Sequence, residues 1–254
     1  MTDVARFRDD DVILVAYRGS IAHGTHIPSD DPDSIDDVDY LGVFVPPLDH
    51  YFGIEERSES EEFWEGDNDV VLYELVKFVR LMAAGSPNVL AALWVPERLL
   101  AKITPAGRRL VDIRRAFLSK DLYLPLVGYA HAQLKKMTHG DPQGFRSQKR
   151  KELIDRFGYD CKSAQHAVRL LRMGLEALQD GEVRVVRPDA EELVAVKSGR
   201  WSLARVQEET ARLFDAVKAA WERSPLPEHA DWATINRTVR EILHDRLLSP
   251  RPAP

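Results

Sequence analysis

Gly19-Ser20-Ile21-Ala22-His23-Gly24-Thr25 and, beyond an acidic segment, Asp37-Val38-Asp39-Tyr40-Leu41-Gly42 are the two runs on which the reading of this chain turns. The first follows an apolar stretch, 11–17, with the pattern of a buried strand entering a tight turn at Gly19. The second opens another strand, 39–45, stopped by Pro46-Pro47. A third strand is expected at 69–73, after a Glu-rich segment at 55–66. From Glu74 the period turns helical, with Leu75, Phe78, Val79 and Met82 on one face and Gly85-Ser86-Pro87 closing the element; a further short helix is expected over 88–94.

Beyond residue 100 the spacing of apolar residues is helical almost throughout, over 121–137, 145–180, 189–196, 202–223 and 231–247. Gly140-Asp141-Pro142, Asp180-Gly181, Ser198-Gly199 and Ser224-Pro225 separate these segments, and a Pro-rich tail from Ser249 is expected to fray. The fold class is therefore α+β, a small mixed sheet with helices over 1–100 followed by a helical domain over 101–254.

Asp37 and Asp39 are two apart at a strand start, so their carboxylates point to the same side of the pleat. Two anions held that close repel unless a cation lies between them. Oxygen donors without His or Cys select a hard ion, Mg²⁺ or Mn²⁺, and a third carboxylate on a neighbouring strand completes a two-ion clamp. Asp69 opens the third strand and is placed for that role; its plainer reading is a strand-start cap. Glu74 competes with it but suits the first turn of the following helix. Gly19 permits a tight turn whose backbone N–H groups can hold an anion, and Ser20 adds a hydroxyl donor. A Walker A loop fails here because the lysine before Thr25 is missing. An EF-hand fails in every register of the segment carrying Asp30, Asp31, Asp33 and Asp36, and a solvated loop suits the first three better.

In the helical half, Lys162, His166 and Arg169 share one helix face at i, i+4 and i+7. With Arg172, Lys149, Arg150 and Lys151 they can form a cationic wall around a triphosphate or an RNA backbone. Ordinary exposed helix charge, with His166 half in the core, is the competing reading, and His23 need only pack beside the turn.

Gly19-Ser20-x-Ala22-His23-Gly24 with Asp37-x-Asp39 resembles the signature of the DNA polymerase β nucleotidyltransferase superfamily. Asp39-Tyr-Leu-Gly-Val-Phe-Val-Pro-Pro47, Tyr73 to Arg80, Ser86 to Leu90 and Lys162…His166…Arg169 are similar to its RNA-repair-pathway DNA polymerase β branch. That branch usually has Ser before the first aspartate, where this chain has Asp36, and its connecting segment is shorter. The resemblance implies transfer of a nucleoside monophosphate from an NTP, ATP among them, to an acceptor hydroxyl on RNA, with two Mg²⁺ or Mn²⁺ ions. Asp37, Asp39 and Asp69 would hold the ions. Gly19, Ser20, Lys162, His166 and Arg169 would hold the nucleotide. A nucleotidyltransferase acting on a small molecule or protein, and a non-catalytic nucleotide- or RNA-binding module, are the alternatives.

Composition is compatible with this. The 254 residues are 44% hydrophobic and 30% charged, with a net charge of −6. Residues 1–100 hold 7 Lys and Arg against 21 Asp and Glu, a net of −14, whereas 101–254 hold 28 against 20, a net of +8. An acidic front collects divalent cations and a basic rear suits a phosphate-rich partner. One cysteine, Cys161, excludes an intrachain disulfide and a Cys-based zinc site. No run approaches the roughly 18 apolar residues of a membrane span, and a cytoplasmic protein is expected.

Overall fold

A computed structural model describes residues 4–28, 30, 31, 34, 36–54, 58–139 and 148–248. The expected helix segment 145–147, the Gly140-Asp141-Pro142 breaker, Asp33 and the tail from Ser249 lie outside the described residues, as does the side chain of Lys149.

Five strands form one sheet in the order β3-β4-β2-β1-β5. They are β1 (Val12–Tyr17), β2 (Val38–Phe44), β3 (Ser60–Glu65), β4 (Asn68–Glu74) and β5 (Leu100–Ile103). Only β2 and β4 run parallel; the other pairs are antiparallel. β1 and β2 are apolar on both faces because both are covered. Ile13, Ala16, Leu41 and Val43 join one core cluster, and Val12, Val15, Tyr40 and Phe44 join another with Phe7. β3 is the edge, rich in Glu61, Glu62 and Glu65, and that acidic character hid it from the sequence pattern while guarding the edge. It turns into β4 through Gly66, whose φ of +61° favours glycine.

β5 pairs with β1, and α5 (Pro105–Asp112) packs on β1, so sheet-associated structure runs past residue 100. The helices on the sheet's side are α1 (Gly19–His23), α2 (Leu48–Phe52), α3 (Leu75–Ala83) and α4 (Pro87–Leu90). The rear helices are α6 (Tyr123–His139), α7 (Gln148–Phe157), α8 (Cys161–Asp180), α9 (Ala190–Lys197), α10 (Leu203–Arg223) and α11 (Trp232–Leu247). The helix expected to run unbroken to 180 is divided at Gly158, φ +79°, and restarts where the Asp160 carboxylate accepts from the Ser163 N–H.

α8 is the axis of the rear half. Its Val168, Leu171 and Leu178 pack with Leu126 and Ala130 of α6 and with Leu213 and Val217 of α10. Its Met173 and Ala177, with Ile235 and Ile242 of α11, join the core under the sheet, so one apolar cluster spans both halves. Among the described residues no helix is long and apolar enough to cross a membrane.

The seating of α5 yields a test. A Cβ on Gly107 would stand 2.3 Å from the Ile13 carbonyl oxygen, a backbone atom of β1. Alanine favours a helix over glycine by about 1 kcal/mol, but overpacking costs about 1–3 kcal/mol. Gly107→Ala should therefore lower stability in urea unfolding; a stabilised variant would show that α5 is not held this close to β1.

Candidate active site

The parallel register of β2 and β4 sets Asp39 directly beside Asp69 on one face of the sheet. The row extends across neighbouring strands, with Trp64 of β3 opposite Asp69 and Arg18, at the end of β1, donating its N–H to the Asp39 carbonyl at 2.9 Å. Arg18 Nη2 lies 2.7 Å from Asp69 Oδ2 and 3.8 Å from Asp39 Oδ1, so a guanidinium spans the two carboxylates. Asp37 is exposed, one residue before β2. Burial pushes the Asp39 carboxyl up to about 6, with Asp69 and Asp37 adding to the rise and Arg18 and Lys162 opposing it.

Gly19 is required by close approach. Its φ is +61°, and a Cβ there would stand 2.0 Å from Asp39 Oδ2. The expected turn is the first residue of α1, a single short helix entered from extended Arg18. Ser20 Oγ lies 3.2 Å from His26 Nδ1. Asp36 faces the same ring nitrogen at 4.0 Å, so these three cannot form a Ser-His-Asp relay, which needs opposite nitrogens. Glu74 stands at the other end of β4, opposite Phe44 rather than Asp39. Its buried carboxylate caps α3 by accepting from the Val76 and Lys77 N–H groups, and from the Tyr51 hydroxyl at 2.6 Å.

A cavity of about 260 Å³ opens beside Asp39, between α1 and α8. Ser20, Lys162, His166 and Arg169 all reach it. A larger, apolar cleft of about 400 Å³ between α6 and α10 holds none of these groups. Arg169 is buried, and among the described residues no carboxylate pairs with it; its one side-chain hydrogen bond runs to Met173 Sδ at 3.2 Å. Burial and the nearby Arg187 pull its guanidinium down to about 10. His166 is held well below the ordinary histidine range by burial first and then by Arg169. His23 is likewise neutral, and its Nδ1 lies 2.9 Å from the Val185 carbonyl, an acceptor, which places the proton on that nitrogen.

Not every expected cation comes here. Arg172 points the other way, into Asp189, Glu192 and Glu209, because those acids arrive from α9, α10 and the loop before α9. Arg150 is engaged by Asp160 at 2.8 Å. In exchange the structure supplies residues that spacing did not reveal. The Asp36 side chain is buried, accepts from the Ile27 N–H at 2.9 Å and pairs with Lys197 of α9. Lys197 also donates to the Thr25 carbonyl at 3.1 Å, and Lys162 lies 3.8 Å from Asp36. Burial lowers the Lys197 ammonium and Asp36 opposes that. Partners 161 positions apart leave no sequence signal.

Among the described residues no three His, Cys, Asp or Glu side chains stand close enough together to hold a metal ion. The donors nevertheless fit one: Asp39 and Asp69 offer only oxygen, stand side by side, and already share a cation in Arg18.

The mixed sheet thus sets paired acids beside a cationic cavity lined from a rear helix. The chain belongs to the RNA repair pathway DNA polymerase beta family (RlaP), whose model matches residues 1–241. Nucleotidyltransferases of this superfamily typically use divalent metals. Among solved structures it is similar to a nucleotidyltransferase-like protein from Exiguobacterium sibiricum 255-15, at 12% identity and a TM-score of 0.29 over 96% of this chain and 77% of that one. No curated protein matches the sequence.

The buried ion pair can be probed directly. Lys197→Met strands the Asp36 carboxylate and should cost about 3–5 kcal/mol in urea unfolding. Combining it with Asp36→Asn should cost less than the two single changes added, with coupling above about 1 kcal/mol. Simple additivity would mean the two side chains do not act as a pair.

Proposed function

We propose that this protein is a metal-dependent nucleotidyltransferase that moves a nucleoside monophosphate from an NTP to an acceptor hydroxyl, on RNA, releasing pyrophosphate. The observation that carries the reading is Arg169, a buried guanidinium without a carboxylate partner among the described residues, facing a cavity beside two adjacent acids. Burying a cation is costly unless an anion joins it, and a polyphosphate is the anion that also calls for the acids nearby. The cavity is smaller than the roughly 300–1,000 Å³ of whole-ligand pockets. It suits the phosphates, with the nucleoside extending outside.

In this reading Ser20, Lys162 and Arg169 hold the β and γ phosphates against the Gly19 turn, and neutral His166 packs beside them with a hydrogen bond to give. Asp37, Asp39 and Asp69 would hold Mg²⁺ or Mn²⁺, two ions, which when bound supply charge neutralisation at the reacting phosphate. Asp69 lies on the acceptor side, where it orients the hydroxyl and takes its proton. The hydroxyl oxygen forms a bond to the α-phosphorus as the bond from that phosphorus to the α–β bridging oxygen breaks, in line, and pyrophosphate leaves toward the cationic cavity. The RNA acceptor rests on the family. A small-molecule or protein acceptor is the second reading, favoured by the engagement of Arg150 and Arg172 in ion pairs instead of an open basic wall.

The test is incubation of the purified protein and Mg²⁺ with each labelled NTP and an RNA pool. Asp39→Asn and Asp69→Asn should each lower transfer by about 100-fold or more. Glu74→Gln should retain transfer while losing about 1 kcal/mol of stability as a weakened cap. Arg169→Gln should raise KM for NTP rather than for the acceptor. Transfer undiminished in Asp39→Asn would end this assignment, and RNA that fails to bind at low salt while NTP still binds would favour the second reading.

The raised Asp39 carboxyl predicts opposite pH trends. Its folded value, about 6, lies above the ordinary 3.8, so proton uptake favours the folded, metal-free protein, whose stability should rise as pH falls between those values. Transfer should fall over the same window, because protonation removes an anionic ligand. Parallel trends in thermal unfolding and transfer rate would contradict this role for Asp39.

A further inference from the structure

The cation that the two acids already share points beyond the reaction to how the site is loaded. Arg18 is fixed at its backbone by the bond to the Asp39 carbonyl, 2.9 Å, so its side chain starts from an immobile point beside both carboxylates. Its guanidinium contacts Asp69 at 2.7 Å and stands 3.8 Å from Asp39. It also lines the cavity that holds Arg169, and its Nε is buried with no hydrogen-bond partner. In its present position, then, the side chain offsets one of the two negative charges while leaving one donor unused at the edge of an anion-seeking cavity.

We propose that Arg18 is a resident counter-ion of the Asp39–Asp69 pair that a divalent cation must displace, so that metal loading is coupled to the arrival of the nucleotide. The inference rests on the nucleotidyltransferase reading of this site. Without nucleotide, a divalent ion entering between the acids meets a guanidinium already in place, 2.7 Å from Asp69 and 3.8 Å from Asp39. With nucleotide, the phosphates offer the guanidinium a new partner within the same cavity, and its unused Nε–H gains an acceptor. The metal then inherits both carboxylates. Free enzyme keeps its acids partly compensated and its metal affinity low, and the ion and the nucleotide favour each other's binding, as linkage requires.

Mn²⁺ binding to the nucleotide-free protein, read by electron paramagnetic resonance, tests this without any turnover. Arg18→Gln should bind Mn²⁺ about tenfold more tightly than the wild type, the scale expected on removing one competing, half-exposed cation. The gain in Mn²⁺ affinity that a non-hydrolysable NTP analogue gives the wild type should shrink by a similar factor. Arg18→Gln should also melt lower in EDTA and recover with Mn²⁺, because the acids then repel unrelieved. Arg18→Lys, a cation too compact to span both acids, should fall between; it replaces the Gln variant as the test if that variant does not fold. Unchanged or weaker Mn²⁺ binding in the folded variant overturns the proposal. Asp39→Asn separates the two levels: if it abolishes Mn²⁺ binding while Arg18→Gln leaves it unchanged, only the counter-ion role fails. If Asp39→Asn leaves Mn²⁺ binding intact, the metal site fails, and the counter-ion role with it.

Discussion

Two carboxylates side by side on adjacent parallel strands are an electrostatic conflict that the fold cannot avoid once β2 and β4 are in register. The register is set by the apolar residues further along, Leu41 and Val43 on one strand and Val71 and Leu72 on the other, which have nowhere else to go. Gly42 lies opposite Leu72, where a Cβ would stand 2.6 Å from Leu72 Cδ2, so a slip of one residue would force a larger side chain into that space, and packing holds Asp39 and Asp69 together against their repulsion. Gly19 lets the backbone of the next element approach Asp39 more closely than any side chain would allow. The apolar core thus maintains the charge arrangement, and the Asp39 carboxyl is raised first by its burial and then by its acidic neighbours.

The complementary charge comes from α8, and here burial acts in the opposite sense. Arg169 is carried into the interior because its helix is the apolar axis of the rear half, flanked by Val168 and Leu170. Acid and base are therefore kept on separate elements, with net charges of −14 and +8 in the two parts of the chain. An acid placed beside Arg169 would pair with it and weaken the cavity's hold on an anion. The neighbouring Arg172 shows the contrast: three acids surround it, and it is structural.

Much of this was legible in the sequence, for physical reasons that differ from element to element. β1, β2 and β4 announce themselves because central strands need unbroken apolar runs. β3 does not, since an edge strand carries Glu61, Glu62 and Glu65 where a pattern would want apolar residues. β5 is four half-buried residues whose only argument for being a strand is the long-range partner β1. Helical spacing was enough to gather Lys162, His166 and Arg169 on one face. Spacing could not say that Arg172, a residue further round, would meet acids of other elements, nor that Asp36 would be buried. Those outcomes depend on tertiary neighbours.

Asp36 carries the consequence furthest. The connection between α1 and β2 is long and acidic, and left to solvent it would hold the cavity mouth loosely. Instead its last buried carboxylate reaches α9, where Lys197 also ties the Thr25 carbonyl at the start of the same connection. Both ends of the segment are thereby fixed to one ammonium of the rear half. A second tie lies close by, where Arg187 donates its N–H to the His23 carbonyl at 3.2 Å and the His23 ring bonds the Val185 carbonyl. Each tie uses a polar group that would be costly to bury alone, so neither half can leave without stranding the other's charge or hydrogen bond. The acids and the buried cation must stay within one ligand's length of each other, and these paired contacts act with the apolar core that spans both halves to set that distance.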